Sequence, residues 1–167
     1  AYPNSGAVTG TSGTESNPAP GGQNVVIHAA DTFTLADPPH SFDASHKQFN
    51  GGKNDQFVIA HEGPNQNQVM AYYDRTQIPF YYWLASEFSI ADRYFCSVPG
   101  PTWPNRMFLY ATTSFGLVTN DLPPDATTLP DYLEQRKLSW KVYVSTVGGY
   151  AMFVSKIGLY SEHFVEI

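Results

Sequence analysis

YYDRTQIPFYYWLASEFSIADRYFCSVPGPTWPNRMFLYATTS, Tyr72 to Ser114, is the most informative part of the chain. Near its start Thr76 can cap a helix that carries Pro79 in its first turn, where a missing N–H costs nothing. The run Phe80 to Phe88 is apolar and aromatic almost all round, which predicts a buried helix. Ser89 to Val98 reads as a strand with its approach, ended by Pro99-Gly100-Pro101. Pro104 is tolerated only in the first turn of a helix, so the next helix is predicted over 103–114, with Thr102 at or beside its N-terminus.

Working outward, Phe42, His46 and Phe49 fall at i, i+4 and i+7, and Gly51-Gly52 stands where a C-cap belongs, so a short amphipathic helix is predicted over 40–50. Downstream, Thr128 and Asp131 make a capping pattern ahead of a helix over 129–137, and WKVYVS, Trp140 to Ser145, is rich in strand formers. Helix followed by strand recurs, which points to a layered α/β fold. Residues 1–24 are mostly Gly, Ser, Thr, Pro and Asn without periodicity and read as a loop. After Gly148-Gly149 the pattern fades and predicts no nameable terminal element. There is no internal repeat.

Composition narrows the function. Charged residues make up 14% and aromatics 15%, which excludes a disordered or coiled-coil chain. A net charge of -6 argues against a nucleic-acid binder and against a polybasic membrane patch. No apolar run is long enough to span a bilayer, so no transmembrane segment is expected. The single cysteine, Cys96, rules out an internal disulfide and reads as a small core residue.

Thr102 has the strongest chemical case. A hydroxyl on a tight Pro/Gly turn at a helix start meets free N–H groups and the positive end of the helix dipole, a setting that suits a phosphoryl group. The plain alternative is an N-cap. Asn105 and Arg106 lie in the same first turn and either contact an anion or close the turn. His40 and Asp43 share a helix face, but His40 and His46 stand about 240° apart, so they do not form a two-histidine metal face. His28, His61 and His163 read as surface or satisfied histidines. The aromatic run Phe80 to Trp83 reads as core; a sugar- or lipid-binding surface would need several of these rings exposed on one face.

Three stretches together resemble the bacterial phosphoesterase family that includes phospholipases C and related acid phosphatases. They are DPPHSFDASHKQFNGGKNDQFV (37–58), the run from Met70 to Ser114 with SVPGPTWPNR inside it, and LPDYLEQRKLSWKVYV (129–144). The resemblance implies an alkaline-phosphatase-like three-layer α/β/α sandwich, present in part. Residues 1–167 would be part of one catalytic domain, with 1–36 a loop-rich segment and 37–145 the family-like core.

It also implies a hydrolase of phosphoric esters, acting on a phospholipid or a phosphomonoester, in a secreted or periplasmic setting. Carried over by motif, Thr102 is the nucleophile and a metal-facing hydroxyl, His40 of the Asp-x-x-His stretch lines the phosphate pocket, and Asn105 and Arg106 bind substrate. A divalent metal ion is the implied cofactor. The family's acidic metal-binding motifs have no counterpart here: Ser41-Phe42-Asp43 lacks the preceding acidic residue, and the downstream Asp-Glu and Asp-His motifs are absent. The chain is therefore expected to be an internal fragment, nearly inactive by itself, with open sheet edges that favour association. The alternative is a non-catalytic α/β interaction module that keeps the scaffold without the metal motifs.

Overall fold

The computed structural model describes residues 10–61, 63, 65–145 and 153–167. The chain divides into two compact units, Ala1–Phe95 and Cys96–Ile167.

In the first unit, strand β1 (Ser16–Pro18) pairs antiparallel with β2 (Asn24–Val26), turning through Gly21 and Gly22, both at positive φ. The loop predicted over 1–24 thus contains a hairpin; its first nine residues lie outside the described ones. Sequence gives little warning of it because β1 is held by partners far along the chain. Buried Asn17 donates to the Asn54 carbonyl, and its Oδ1 accepts the Phe57 N–H.

Strand β3 (His28–Ala29) runs parallel to β4 (Ala71–Tyr72). Between them come helix α1 (Phe42–Phe49), a 3-10 turn at Asn50–Gly52, helix α2 (Phe57–Ala60) and a 3-10 turn at Gln66–Met70. The predicted first helix is present. Ser41 caps it by accepting the Ala44 N–H, and Asn50 rather than a glycine takes the left-handed C-cap, with Gly51 and Gly52 continuing at positive φ. Val58, Ala60, Met70 and Ala30 form the buried apolar positions of this unit.

Helix α3 (Pro79–Glu87) begins with Pro79, as predicted, but two expectations around it are corrected. Thr76 is not its cap. Asp74 Oδ1 accepts the N–H and hydroxyl of Thr76 and the N–H of Gln77, so the Thr76 hydroxyl is engaged in an aspartate turn, and Ile78 takes the N-cap of α3. Nor is α3 buried: Phe80 is 60%, Tyr81 65% and Trp83 51% exposed. Its rings pack on one another instead, Phe80 against Trp83 at 5.8 Å and Trp83 edge-on to Phe88 at 6.3 Å. A helix apolar all round announces surface to cover without saying what covers it.

The strand predicted over 89–98 is not formed. Its β-forming residues find no partner strand, and Tyr94, Phe95 and Cys96 are exposed, which also removes Cys96 from the core.

In the second unit, helix α4 (Thr102–Ala111) ends on left-handed Thr112, close to the predicted span. Helix α5 (Leu129–Gln135) carries the predicted capping box: Asp131 Oδ2 accepts the Thr128 N–H at 2.6 Å and its hydroxyl at 2.8 Å. Strand β5 (Val142–Val144) lies inside the predicted stretch. No terminal element is predicted, yet helix α6 (Val154–Leu159) leads to β6 (Phe164–Glu166), which pairs parallel to β5. Residues 146–152, which include Gly148-Gly149, lie outside the described residues.

Fully buried Met107 packs with Phe153, surrounded by Trp103, Tyr110, Ala111, Phe115, Leu117, Ile157 and Phe164. Tyr160 and Lys156 reach back from the terminal segment to Asp131 Oδ1, at 2.5 and 3.2 Å.

The predicted mixed α/β character is present: each unit holds a parallel strand pair joined by a helical crossover. The described sheets are all two-stranded, so every strand keeps one edge without a strand partner.

Candidate active site

The turn that leads into α4, Ser97-Val98-Pro99-Gly100-Pro101, contains two prolines and so cannot close through its own N–H groups. Asn105 closes it. Its Oδ1 accepts the N–H groups of Ser97 (2.9 Å) and Val98 (3.0 Å). Its amide donates to the carbonyls of Val98 (2.9 Å), Pro101 (3.0 Å) and, more distantly, Gly100 (3.4 Å).

Thr102 is the first residue of α4, and Pro101 occupies the N-cap. The plain N-cap reading of Thr102 is therefore set aside: among the described residues its hydroxyl caps nothing and faces solvent. A helix start leaves the N–H groups of its N-cap and first three residues without helical partners. Here those residues are Pro101, Thr102, Trp103 and Pro104; the prolines have no N–H, and the Trp103 N–H is taken by Asn120 Oδ1 at 2.9 Å. Thr102 keeps the remaining N–H beside its own hydroxyl.

Arg106 follows Thr102 by four residues, which places both on one face of α4. Both are exposed, and among the described residues Arg106 has no hydrogen bond or ion pair. Trp103, Met107, Tyr110 and Ala111 take the other face into the core. The amphipathic pattern of α4 thus turns a hydroxyl, an N–H and a guanidinium toward solvent together.

His40 stands in the first unit, one residue before the Ser41 cap of α1. Its Nδ1 lies 2.8 Å from the Pro38 carbonyl, which can only accept, so Nδ1 carries a proton. The same nitrogen is 3.5 Å from Asp37 Oδ1. That leaves Nε2 without a partner among the described residues, as an acceptor when the ring is neutral and a donor when it is charged. Asp37 and His40 of the Asp-x-x-His stretch are thereby brought together, whereas Asp43 makes no contact with His40. His46 is occupied locally, its Nδ1 on the Phe42 carbonyl at 2.8 Å.

Sequence reasoning missed His61. Read as a surface or satisfied histidine, it is 4% exposed, and its Nδ1 has no hydrogen-bond partner. With Leu35, Ala36, Pro38, Gln68 and Val69 it lines a cavity of about 90 Å³ beside the Asp37–His40 stretch. The neighbouring apolar run Phe57 to Ala60 was the available signal. His163 does have partners, with Nδ1 on the Trp140 carbonyl and Nε2 against Glu134.

Among the described residues no three His, Cys, Asp or Glu side chains converge on a point where they could hold a metal ion. Thr102 offers one hydroxyl, and among the described residues no carboxylate or imidazole is hydrogen-bonded to it. These donors do not by themselves fit a divalent cation, which needs several oxygen or nitrogen ligands. No helix among the described residues is long and apolar enough to cross a membrane.

A helix-start hydroxyl and N–H on one face with an arginine is a donor set suited to phosphate esters. The sequence agrees: the chain matches the Phosphoesterase family over residues 2–167 and belongs to it. It is 37% identical over 121 residues to a non-hemolytic phospholipase C of Burkholderia pseudomallei, an alignment covering 65% of this chain and 16% of that protein. Phospholipase C B of Mycobacterium tuberculosis is 35% identical over 130 residues, 68% of this chain and 25% of its own length. Non-specific phospholipase C1 of Arabidopsis thaliana is 30% identical over 168 residues, 89% of this chain and 31% of its own. The chain thus spans under a third of each of these relatives, and the similarity reaches plant proteins as well as bacterial ones.

Proposed function

We propose that this chain is the nucleophile-bearing segment of a phosphoric ester hydrolase with an alkaline-phosphatase-like α/β/α catalytic domain. The observation that carries the reading is Thr102: an exposed hydroxyl and a free N–H at the start of α4, on one face with Arg106. Thr102 Oγ1 attacks phosphorus, forming a phosphothreonine as the ester P–O bond breaks. The N–H of Thr102 and the Arg106 guanidinium hold phosphoryl oxygens. The resemblance gives His40, whose Nε2 has no partner among the described residues, the task of donating a proton to the departing alkoxide. Water then cleaves the Thr102 O–P bond, releasing phosphate when the substrate is a phosphomonoester and a phosphomonoester when it is a phospholipid. A neutral hydroxyl is a weak nucleophile until a base or a metal takes its proton. The divalent ion implied by the resemblance would supply that activation, but the described residues do not complete its ligand set, and none of the steps above is routed through it. Low turnover by the chain alone follows.

The phospholipase C relatives favour a phospholipid substrate; a phosphomonoester is the other ester within reach of the same donors, and the secreted or periplasmic setting rests on the family resemblance alone. The test is hydrolysis of p-nitrophenyl phosphate and p-nitrophenylphosphorylcholine with added divalent metals, in the parent chain and in Thr102→Ala. Turnover abolished in the variant supports the reading. No turnover in a folded sample supports the non-catalytic module instead. A second reading, an aromatic lipid-contacting surface, is favoured by the exposure of Phe80, Tyr81 and Trp83. It requires the chain to co-sediment with phosphatidylcholine vesicles and Trp83→Ser to weaken that binding.

A further inference from the structure

We propose that Asn105 is a positioning residue that orients Thr102, and that it does not contact substrate; this rests on the reading of Thr102 as nucleophile. A carboxamide has two acceptor sites and two N–H donors. Both acceptor sites of Asn105 are used, by the Ser97 and Val98 N–H groups, and both donors by the Val98 and Pro101 carbonyls, with Gly100 sharing. No capacity is left for a phosphoryl oxygen. Of the two roles open to Asn105 from sequence, substrate contact or closing the turn, the geometry selects the second.

The orientation follows from peptide planarity. The Pro101 carbonyl and the Thr102 N–H belong to one planar trans unit and point in opposite directions. The amide that holds the Pro101 oxygen at 3.0 Å therefore turns the Thr102 N–H away from Asn105, toward the exposed side where the Thr102 hydroxyl stands. The task needs acceptors and donors in one short side chain. Aspartate keeps the acceptors and loses the donors; lysine and arginine have donors and no acceptors.

The experiment compares Asn105→Asp and Asn105→Ala with the parent chain, by amide hydrogen exchange and by p-nitrophenyl phosphate kinetics. In Asn105→Ala, exchange at Ser97 and Val98 speeds up at least about tenfold while the β5 amides keep their rates, and kcat falls at least about tenfold with KM within about twofold. In Asn105→Asp, Ser97 and Val98 stay slow because the carboxylate still accepts both N–H groups. The Thr102 amide resonance nevertheless moves and kcat falls, because the Pro101 carbonyl has lost its side-chain donor and keeps only the helical N–H of residue 105. Three results overturn the proposal: a raised KM with kcat unchanged, which marks a substrate contact; unchanged Ser97 and Val98 exchange in the alanine variant; or an unmoved Thr102 resonance in the aspartate variant. If the parent hydrolyses nothing, the nucleophile reading fails separately, and the exchange rates and the Thr102 resonance alone decide whether Asn105 sets the turn.

Discussion

Asp131 accepts four hydrogen bonds, and its acidity records the balance. Burial raises its pKa and is the largest single influence, but the bonds from Tyr160, Thr128 and Lys156 together outweigh it and hold the carboxyl at about 2. A carboxyl depressed below its unfolded value of about 3.9 stabilises the fold above that pH, and the contribution is lost as pH falls toward 2. Acid titration of stability, followed by circular dichroism, should therefore show a loss between about pH 4 and 2 that is much reduced in Asp131→Asn. Thr128, fully buried, should cost about 1 kcal/mol as Thr128→Ala, measured by urea denaturation. This capping box was legible in the sequence because all its information lies within four residues. Asn105 was only half legible: its place in the first turn follows from Pro104, but its task appears only when the backbone groups orphaned by Pro99 and Pro101 are counted. His61 was legible only through the apolar run Phe57 to Ala60 before it, which hints at burial but not at an unpartnered Nδ1.

At the scale of elements, α4 and α5 were read closely because proline, threonine and acidic residues mark helix starts locally. Strand β6 went unread because its three residues gain their identity from β5, about twenty positions earlier. The converse failure is the stretch 89–98, which has strand-forming side chains and no strand partner. The two aromatic-rich helices should differ sharply in energetic weight. Met107→Ala in α4 removes a fully buried side chain and should cost about 3 kcal/mol, whereas Trp83→Ala in α3 should cost under about 1 kcal/mol. Equal losses in denaturant melts would mean that the α3 rings are covered in solution.

At the scale of the whole molecule, the described surface is unusually apolar. Phe80, Tyr81, Phe88, Tyr94 and Phe95 are each at least 60% exposed, and each sheet has unpaired edges. Such surfaces associate. Sedimentation velocity should show the apparent mass rising with concentration, and the rise should be suppressed by Phe80→Lys with Phe88→Lys. A concentration-independent monomer would contradict this. Exposed Cys96 should react with a thiol reagent without denaturant, at one equivalent per chain; protection until unfolding would return it to the core position first expected from sequence.

The two prolines that silence the start of α4 carry a consequence for how an anion would be held there. Glycine-rich phosphate cradles bind through many backbone dipoles, which salt barely disturbs. Here prolines remove two of the four possible donors and Asn120 a third, so long-range attraction falls to the exposed charge of Arg106. Over distances of about 10 Å that attraction is screened at 0.1 M ionic strength. Capture of a phosphate ester by this turn would accordingly be governed by the ionic strength around it, strong in dilute medium and weak in brine.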